Sequence, residues 1–496
     1  MQESEQDQVK QEEAGVSITP PALKRGPEEG VPGTPPDLKH GLEEIFNPSS
    51  IAIVGVSDNK ESPGSLIYRS ISGMGFDGSL YPINRRGSFD GAYCHSSISE
   101  ISGKVDLVFL ATPPDTIPSL VRECVNLGVK GCVIISAGFS ESGAAVGSRL
   151  ERELAESFRG SSTRIIGPNC MGFYSSRGKV AFFDNMRPSK GGVSLISQSG
   201  SVSVFSYNLG IERNVHFSAI VSSGNELDVN CSELLECFIN DPGTSIIMAY
   251  LEELREPRRF LALAREARGI KPIITCKSGL TQSGGRAARS HTGALGGSLA
   301  IWQGAAAQSH LVLADDLNEL LDLAALFAHL PRPGGRNVAI LSSPGGLAVI
   351  AADLAEKYGL EVPLLSESSC ARLGEILPGQ GISTANPVDL GFGALKPGVY
   401  REALRILDKD PSIDISVVLG GAPGSQGDDA HMFKYFTEEI LAVKEELEKP
   451  LLVVLLPSVN MGSYCLQLYH AGIPVFLMLK SAFTSLARFV DYYIER

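Results

Sequence analysis

The chain has 496 residues, with 43 basic against 56 acidic side chains and a formal net charge of −13. With 43% hydrophobic and 20% charged residues it holds enough apolar material for several filled cores, which excludes wholesale disorder. The acidic balance argues against a broad nucleic-acid surface, since phosphate backbones select basic patches, but leaves small anions open to helix N-termini and local arginines.

Residues 1–41 open on the acidic, polar run MQESEQDQVKQEE and carry six prolines within the first 40 positions. They show almost no aliphatic periodicity, so the expectation is a disordered acidic, Pro-rich tail rather than a signal peptide. From Leu42 the texture changes to short, almost continuously apolar runs: SIAIVGVS (50–57), LYPIN (80–84), VDLVFLATPP (105–114), GCVIISAGF (131–139) and RIIGPNC (164–170). Such runs are what strands buried on both faces require, and helical patterns at 117–127 and 148–157 separate them. The alternation predicts βαβ units and a parallel sheet.

The pattern restarts at GGVSLISQSGS (191–201) and continues through FSAIVSSGN (217–225), SIIMAYLE (245–252) and PIITCKSG (272–279). The Pro/Gly-rich stretch LPRPGGR (330–336) reads as a linker, and a third set begins at NVAILSSPGG (337–346), followed by ISVVLGG, LLVVLLP and IPVFLML. The expected division is 1–41 for the tail, then α/β domains over 42–185, 186–330 and 335–496. In such sheets ligands gather in the turns at the carboxyl ends of the strands.

The first of those turns, from Gly55 through Ser57 to Ser65, is rich in Gly and Ser and could bring backbone amides to a phosphate. It is not GxGxxG. The second strand ends in Asn84-Arg85-Arg86, where an NAD enzyme would place an acidic residue. Two arginines suit a ribose phosphate instead, which both NADP and coenzyme A carry, although a solvated surface pair explains them equally well. Turn 197–201, Ser-Gln-Ser-Gly-Ser, is the strongest local anion signal, because an ordinary N-cap needs only one serine. Of eight histidines, His216, His310, His329 and His470 lie in or beside apolar segments, and His40, His95 and His431 in polar ones. His291 differs, sitting in a glycine-rich loop (284–297) that also holds Arg286 and Arg289.

The nine cysteines form no CxxC pair and no Cys/His cluster with zinc spacing, so reduced thiols in a cytoplasmic setting and no metal are expected. No apolar run is long enough to span a bilayer. GxxxxGK[ST], HExxH and GxSxG are all missing, which puts any nucleotide-phosphate site on another polypeptide.

In their order, IFNPSSIAIVGVS, YPINRRG, VIISAGFSESG, RIIGPNCMGF, SLISQSGSVS, VSSGNELDV, IIMAYLEELREPRRFL, KSGLTQSGGRAARSHTGALGGS and STANPVDL are similar to the motifs of one family. From Leu42 onward the chain resembles the α subunit of the ADP-forming acyl-CoA (acetyl-CoA) synthetases, relatives of succinyl-CoA synthetase. SHTGALGG is the most specific block. Arg85 and Arg86, in place of the family's usual Pro-Lys, and the 342–346 turn, in place of an Asn-Gly-rich one, are departures.

The resemblance implies a Rossmann-like CoA-binding domain followed by two flavodoxin-like domains of the succinyl-CoA-synthetase type. It implies that His291 is transiently phosphorylated, with Glu252 as the carboxylate that fixes its imidazole; in an extended strand Glu253 would point to the opposite face. It implies that the helix beginning at Ser199, Gly200 and Ser201 holds the phosphate. Gly55, Ser57 and Ser65 would lie near the CoA phosphates, Arg85 or Arg86 near its ribose phosphate, and Asn169 and Cys170 near its thiol. For Cys170 a small buried hydrophobe is an equal alternative. Gly224-Asn225-Glu226 matches a loop near the reaction centre with no assigned role. ADP/ATP with Mg2+ would come through a separate ATP-grasp β subunit, in an α2β2 heterotetramer. A non-catalytic CoA- or acyl-CoA-binding regulatory protein on the same scaffold is the alternative.

Overall fold

The computed structural model describes residues 41–292, 297–343, 345–377, 383–420, 429–456 and 462–494, with residues 289–292, 392, 395 and 429–432 given in backbone only. The tail (1–40), part of the glycine-rich loop (293–296) and the side chains of Arg289 and His291 therefore lie outside what is described.

The first sheet is built from β1 (Ser50–Val54), β2 (Ser79–Ile83), β5 (Leu107–Leu110), β6 (Gly131–Ile134) and β7 (Arg164–Ile166), with a small antiparallel hairpin, β3 (Ser88–Phe89) and β4 (Ala92–Tyr93), after β2. Its order is β2-β1-β5-β6-β7, all parallel. Every residue of β1, β5, β6 and β7 is buried, as strands covered by helices on both faces must be. The helices Ile117–Asn126 and Ala145–Phe158 fall where the apolar periodicity puts them. Because β1 pairs β2 on one side and β5 on the other, the chain leaves β1 and β5 in opposite senses, opening a crevice at their carboxyl ends.

The second sheet adds β8 (Gly172–Ser175), β9 (Val193–Ser197), β10 (Phe217–Ser222), β11 (Ile246–Leu251), β12 (Ile273–Lys277) and β13 (Val312–Ala314), in the order β13-β12-β11-β9-β10-β8. Only β8, on the edge beside β10, runs antiparallel. The chain therefore crosses from one sheet to the next immediately after β7, in the GPNC segment. The third sheet, β14 (Val338–Ser342), β15 (Val388–Asp389), β16 (Ile415–Gly420), β17 (Leu451–Leu455) and β18 (Val475–Phe476), is parallel in the order β15-β14-β16-β17-β18.

The sheets do not fold in isolation. One apolar cluster runs from Ile51 and Phe109 of the first sheet to Ile196, Val221 and Ile247 of the second. Phe173 of β8 joins them, packing edge-on against Phe46 at 5.1 Å and stacking on Phe109 at 6.0 Å between centroids. Burying an aromatic side chain is worth about 1.5–3 kcal/mol, so three at one seam fix it firmly. The C-terminal helix Leu479–Tyr493 likewise lies on the helix Leu317–His329, with Phe327 and Phe489 at 5.0 Å. Arg488 bridges to Glu319 at 2.7 Å and Asp315 at 3.0 Å, and Arg336 pairs with Asp491 at 2.7 Å. The 330–336 stretch is thus spanned by contacts on both sides.

Candidate functional site

At the crevice of the first sheet, Gly55 turns the chain out of β1 with φ +103. A Cβ there would stand 2.3 Å from the carbonyl oxygen of Ala111, at the end of β5, so only glycine lets the two strand ends come this close. The loop after it is stapled by hydroxyls. Ser65, fully buried, donates to the Ser57 carbonyl at 2.6 Å and accepts from the Ser57 amide at 2.9 Å, and Ser62 donates to Ser65 at 2.9 Å. Ser65 therefore shapes the turn from within, while Ser57 sits half-buried at its rim before the helix Pro63–Gly73.

Arg85 and Arg86 occupy an exposed turn held by Asn84, whose side-chain oxygen accepts from the Arg86 amide at 2.6 Å and whose amide donates to Ser88 at 2.9 Å. Among the described residues neither guanidinium has a carboxylate partner. The first centre thus combines a glycine-cleared crevice with two exposed arginines just past the end of the neighbouring strand β2.

Asn169 lies on the crossover between the sheets, half-buried, in a left-handed conformation at φ +57. Its side chain donates to Asn225 at 3.2 Å and its amide to Ser136 at 3.0 Å. Cys170 is turned inward. It is 4% exposed within the shared core, its thiol donates to the Ile134 carbonyl at 3.3 Å, and burial pushes its pKa up to about 12. A thiol of that kind stays protonated at neutral pH.

The second centre forms where β9, β11 and β12 end side by side, with Ser197 registered against Tyr250 and Leu251 against Lys277. The helix Gly200–Glu212 starts here, capped by Ser199, whose side chain accepts from the Val202 amide at 3.5 Å and lies 3.1 Å from the Ser201 hydroxyl. A Cβ on Gly200 would meet Met171 at 2.4 Å, so this helix start is pressed against the crossover segment. Free amides and the dipole at such a start favour an anion.

Glu252, one residue past β11, is 9% exposed, and among the described residues its carboxylate accepts no hydrogen bond. Glu253 is exposed, and both glutamates lie past the end of β11. After β12 the chain enters the helix Gln282–Thr292, which packs beside the turn Ser140–Ser142 of the first sheet. His291 is the penultimate residue of that helix.

The loop 224–226 joins the two centres, which composition did not foretell. Gly224 is left-handed at φ +59, and a Cβ on it would stand 2.2 Å from the Pro168 carbonyl oxygen. Asn225 donates to Glu141 at 2.6 Å and Glu151 at 3.2 Å, and its carbonyl accepts from Arg255 at 2.6 Å. Glu226, itself at φ +54 and 2% exposed, turns the other way. One of its oxygens accepts from Gln198 at 3.0 Å, Ser223 at 2.8 Å and Cys231 at 2.7 Å, while burial pushes its pKa up against those bonds. Gln198 is the other residue that local motif reading passes over, although it stands in the middle of the 197–201 turn. Among the described residues no group of three His, Cys, Asp or Glu side chains could hold a metal ion, and no helix is long and apolar enough to cross a membrane.

Comparison with known proteins places the domains that carry the two centres in a class. Residues 49–176 match the CoA binding domain and residues 190–327 the succinyl-CoA ligase like flavodoxin domain. The chain is 35% identical over 383 residues to the α subunit of ADP-forming acetate–CoA ligase II of Pyrococcus furiosus, covering 77% of this chain and 83% of that one. It is 37% identical over 345 residues to an ADP-forming acetate–CoA ligase of Methanocaldococcus jannaschii, of which it spans about half, 48%. Among solved structures, acetyl-coenzyme A synthetase 1 of Ca. Korarchaeum cryptofilum, in complex with phosphate and ADP, superposes with a TM-score of 0.81 at 30% identity, over 91% of this chain and 96% of that one. The chain belongs to the family of ADP-forming acetate–CoA ligase α subunits.

Proposed function

We propose that the chain is the acyl-handling subunit of an ADP-forming acyl-CoA ligase: acyl-CoA + ADP + phosphate ⇌ carboxylic acid + ATP + CoA. CoA lies along the first sheet's crevice, its phosphates toward the 55–65 turn and its ribose phosphate toward Arg85 or Arg86, and it supplies a thioester at the crossover. Phosphate attacks the thioester carbonyl, giving an acyl phosphate and releasing the CoA thiol. An imidazole nitrogen of His291 then takes the phosphoryl group and the carboxylic acid leaves. Finally the phosphohistidine gives its phosphoryl group to ADP, regenerating neutral His291 and yielding ATP.

The observation that carries this reading is the convergence of three strand ends. β9 delivers the helix N-terminus at Ser199, Gly200 and Ser201, β11 delivers the buried Glu252 carboxylate, and β12 leads into the helix bearing His291. Glu252 would accept the proton of one ring nitrogen and so fix the tautomer that leaves the other nitrogen nucleophilic. The helix start would hold the phosphoryl oxygens. An ATP-grasp β subunit would supply the nucleotide site and its Mg2+, in an α2β2 assembly; the α-subunit standing of the relative and the missing P-loop support this.

The test is an acid-labile phosphohistidine assay with acetyl-CoA and labelled phosphate, on the chain alone and with its partner, with His291→Ala in parallel. Label on the wild type that vanishes in the variant is the expected result. CoA binding with no label in either preparation would refute the reading and leave a CoA-binding regulatory protein.

A further inference from the structure

Glu252 and Glu253 have left the sheet at the end of β11, so their four backbone polar groups have no strand partners. Glu253 is exposed and water could satisfy its share. Instead, two side chains take all four. The Gln198 side-chain oxygen accepts from the Glu252 amide at 2.5 Å and the Glu253 amide at 2.9 Å, and its nitrogen donates to the Glu253 carbonyl at 2.7 Å. The Lys277 ammonium donates to the Glu252 carbonyl at 2.6 Å and to the Ser278 carbonyl at 2.6 Å.

We infer that Gln198 and Lys277 are positioning residues that clamp the Glu252 backbone and thereby aim its carboxylate for the phosphoryl step. The inference rests on the phosphohistidine reading above. Gln198 is fixed in turn, since its remaining hydrogen bond goes to the buried Glu226 carboxyl, which Ser223 and Cys231 hold from two further sides. The flanking strands β9 and β12 thus fix the end of the strand between them, and β10 braces the clamp from outside. Lys277 carries its charge half-buried, with backbone carbonyls and no carboxylate as its hydrogen-bond acceptors among the described residues. Burial lowers its pKa, so the charge is kept there against a desolvation penalty. A carboxylate that orients an imidazole tolerates little drift: a misplacement of about 1 Å costs a catalytic step on the order of 10²-fold.

The test uses the intact complex of the full chain with its partner and γ-labelled ATP, which loads His291 independently of the acyl group. The variants are Gln198→Met, close in size but unable to make the four-way clamp, Lys277→Met, and Lys277→Arg, which can still donate to carbonyls. Expected for both Met variants are labelling slower by roughly 10²-fold and an unchanged CoA affinity; in Gln198→Met, which loses the acceptor of both amides, exchange at Glu252 and Glu253 should also be faster by roughly tenfold. Lys277→Arg should restore most of the labelling rate. Faster exchange with wild-type labelling would overturn the inference, as would labelling, CoA affinity and melting temperature falling together. A wild-type complex that takes no label would overturn the phosphohistidine reading itself, while the exchange measurement would still report whether the clamp exists.

Discussion

Gly224→Ala should be far more damaging than a glycine substitution ordinarily is, and the structure allows the size to be worked out. The left-handed φ of +59 costs an alanine about 1–2 kcal/mol on its own. The new Cβ would also stand 2.2 Å from the Pro168 carbonyl oxygen and 2.6 Å from that of Asn169. Both are backbone atoms of the crossover between the first two sheets, so no side chain can swing aside, and forced repacking of this kind costs about 1–3 kcal/mol more. The sum is a loss of about 2–5 kcal/mol. Gly128→Ala is the matched control, at φ +71 with nothing within 4 Å of the added carbon, and should lose only the conformational part. Calorimetric unfolding of both variants, with CoA titration of the folded protein, separates the two contributions. Gly224→Ala should also bind CoA more weakly, because the displaced segment carries Asn169. Equal melting temperatures for the two variants would refute the reasoning, since they share the backbone strain and differ only in the clash.

Other outcomes follow from single residues. Cys170, with its pKa pushed up to about 12 and its thiol in the core, should remain unmodified by iodoacetamide at pH 8 in the native chain; alkylation there would mean the segment opens to solvent. Replacing both Arg85 and Arg86 by Ala should weaken CoA by roughly tenfold or more while leaving 3′-dephospho-CoA almost unaffected, because charge-assisted bonds to a phosphate are the ones removed. Equal losses for the two ligands would place the ribose phosphate elsewhere. Burial alone would raise the pKa of Asp410, but bonds from Ser412, Ser369 and Ser366 outweigh it and hold the carboxyl well below its ordinary value. A depressed folded-state pKa stabilises above the unfolded value and is lost as pH falls below about 4. Asp410→Asn should therefore melt lower than wild type at pH 7, with the gap narrowing by pH 3; a constant gap would show that the charge is not responsible.

The strand framework was legible because buried parallel strands write themselves as continuous apolar runs, and β1, β5, β9, β11 and β14 all lie within theirs. β8 was not. It is four residues of Gly-Phe-Tyr-Ser following a turn, and its place on the second sheet is set by pairing with β10, a partner nearly fifty positions later. The same limit hid the connections at the strand ends. Ser199 announces a helix cap locally, but Gln198 looks like spacer until β11 is laid beside β9 and the amides of Glu252 and Glu253 come within reach. Asn225 and Glu226 match a family loop near the reaction centre but carry no role in the sequence, and only the assembled sheets show them turning to opposite centres. Local motifs carry the chemistry, whereas side-chain bonds across strand ends are a property of the topology.

Phe46, Phe109 and Phe173 lock the first two sheets into one apolar seam, and this has a mechanical meaning for catalysis. Prising the sheets apart would wet three aromatic rings at once, so the two cannot swing like jaws around a substrate. The two sheets form one frame, which holds the crossover at Asn169 in fixed relation to the helix start at Ser199. The phosphoryl transfer proposed above, to a nucleotide on a partner, therefore cannot be driven by a hinge between these two sheets.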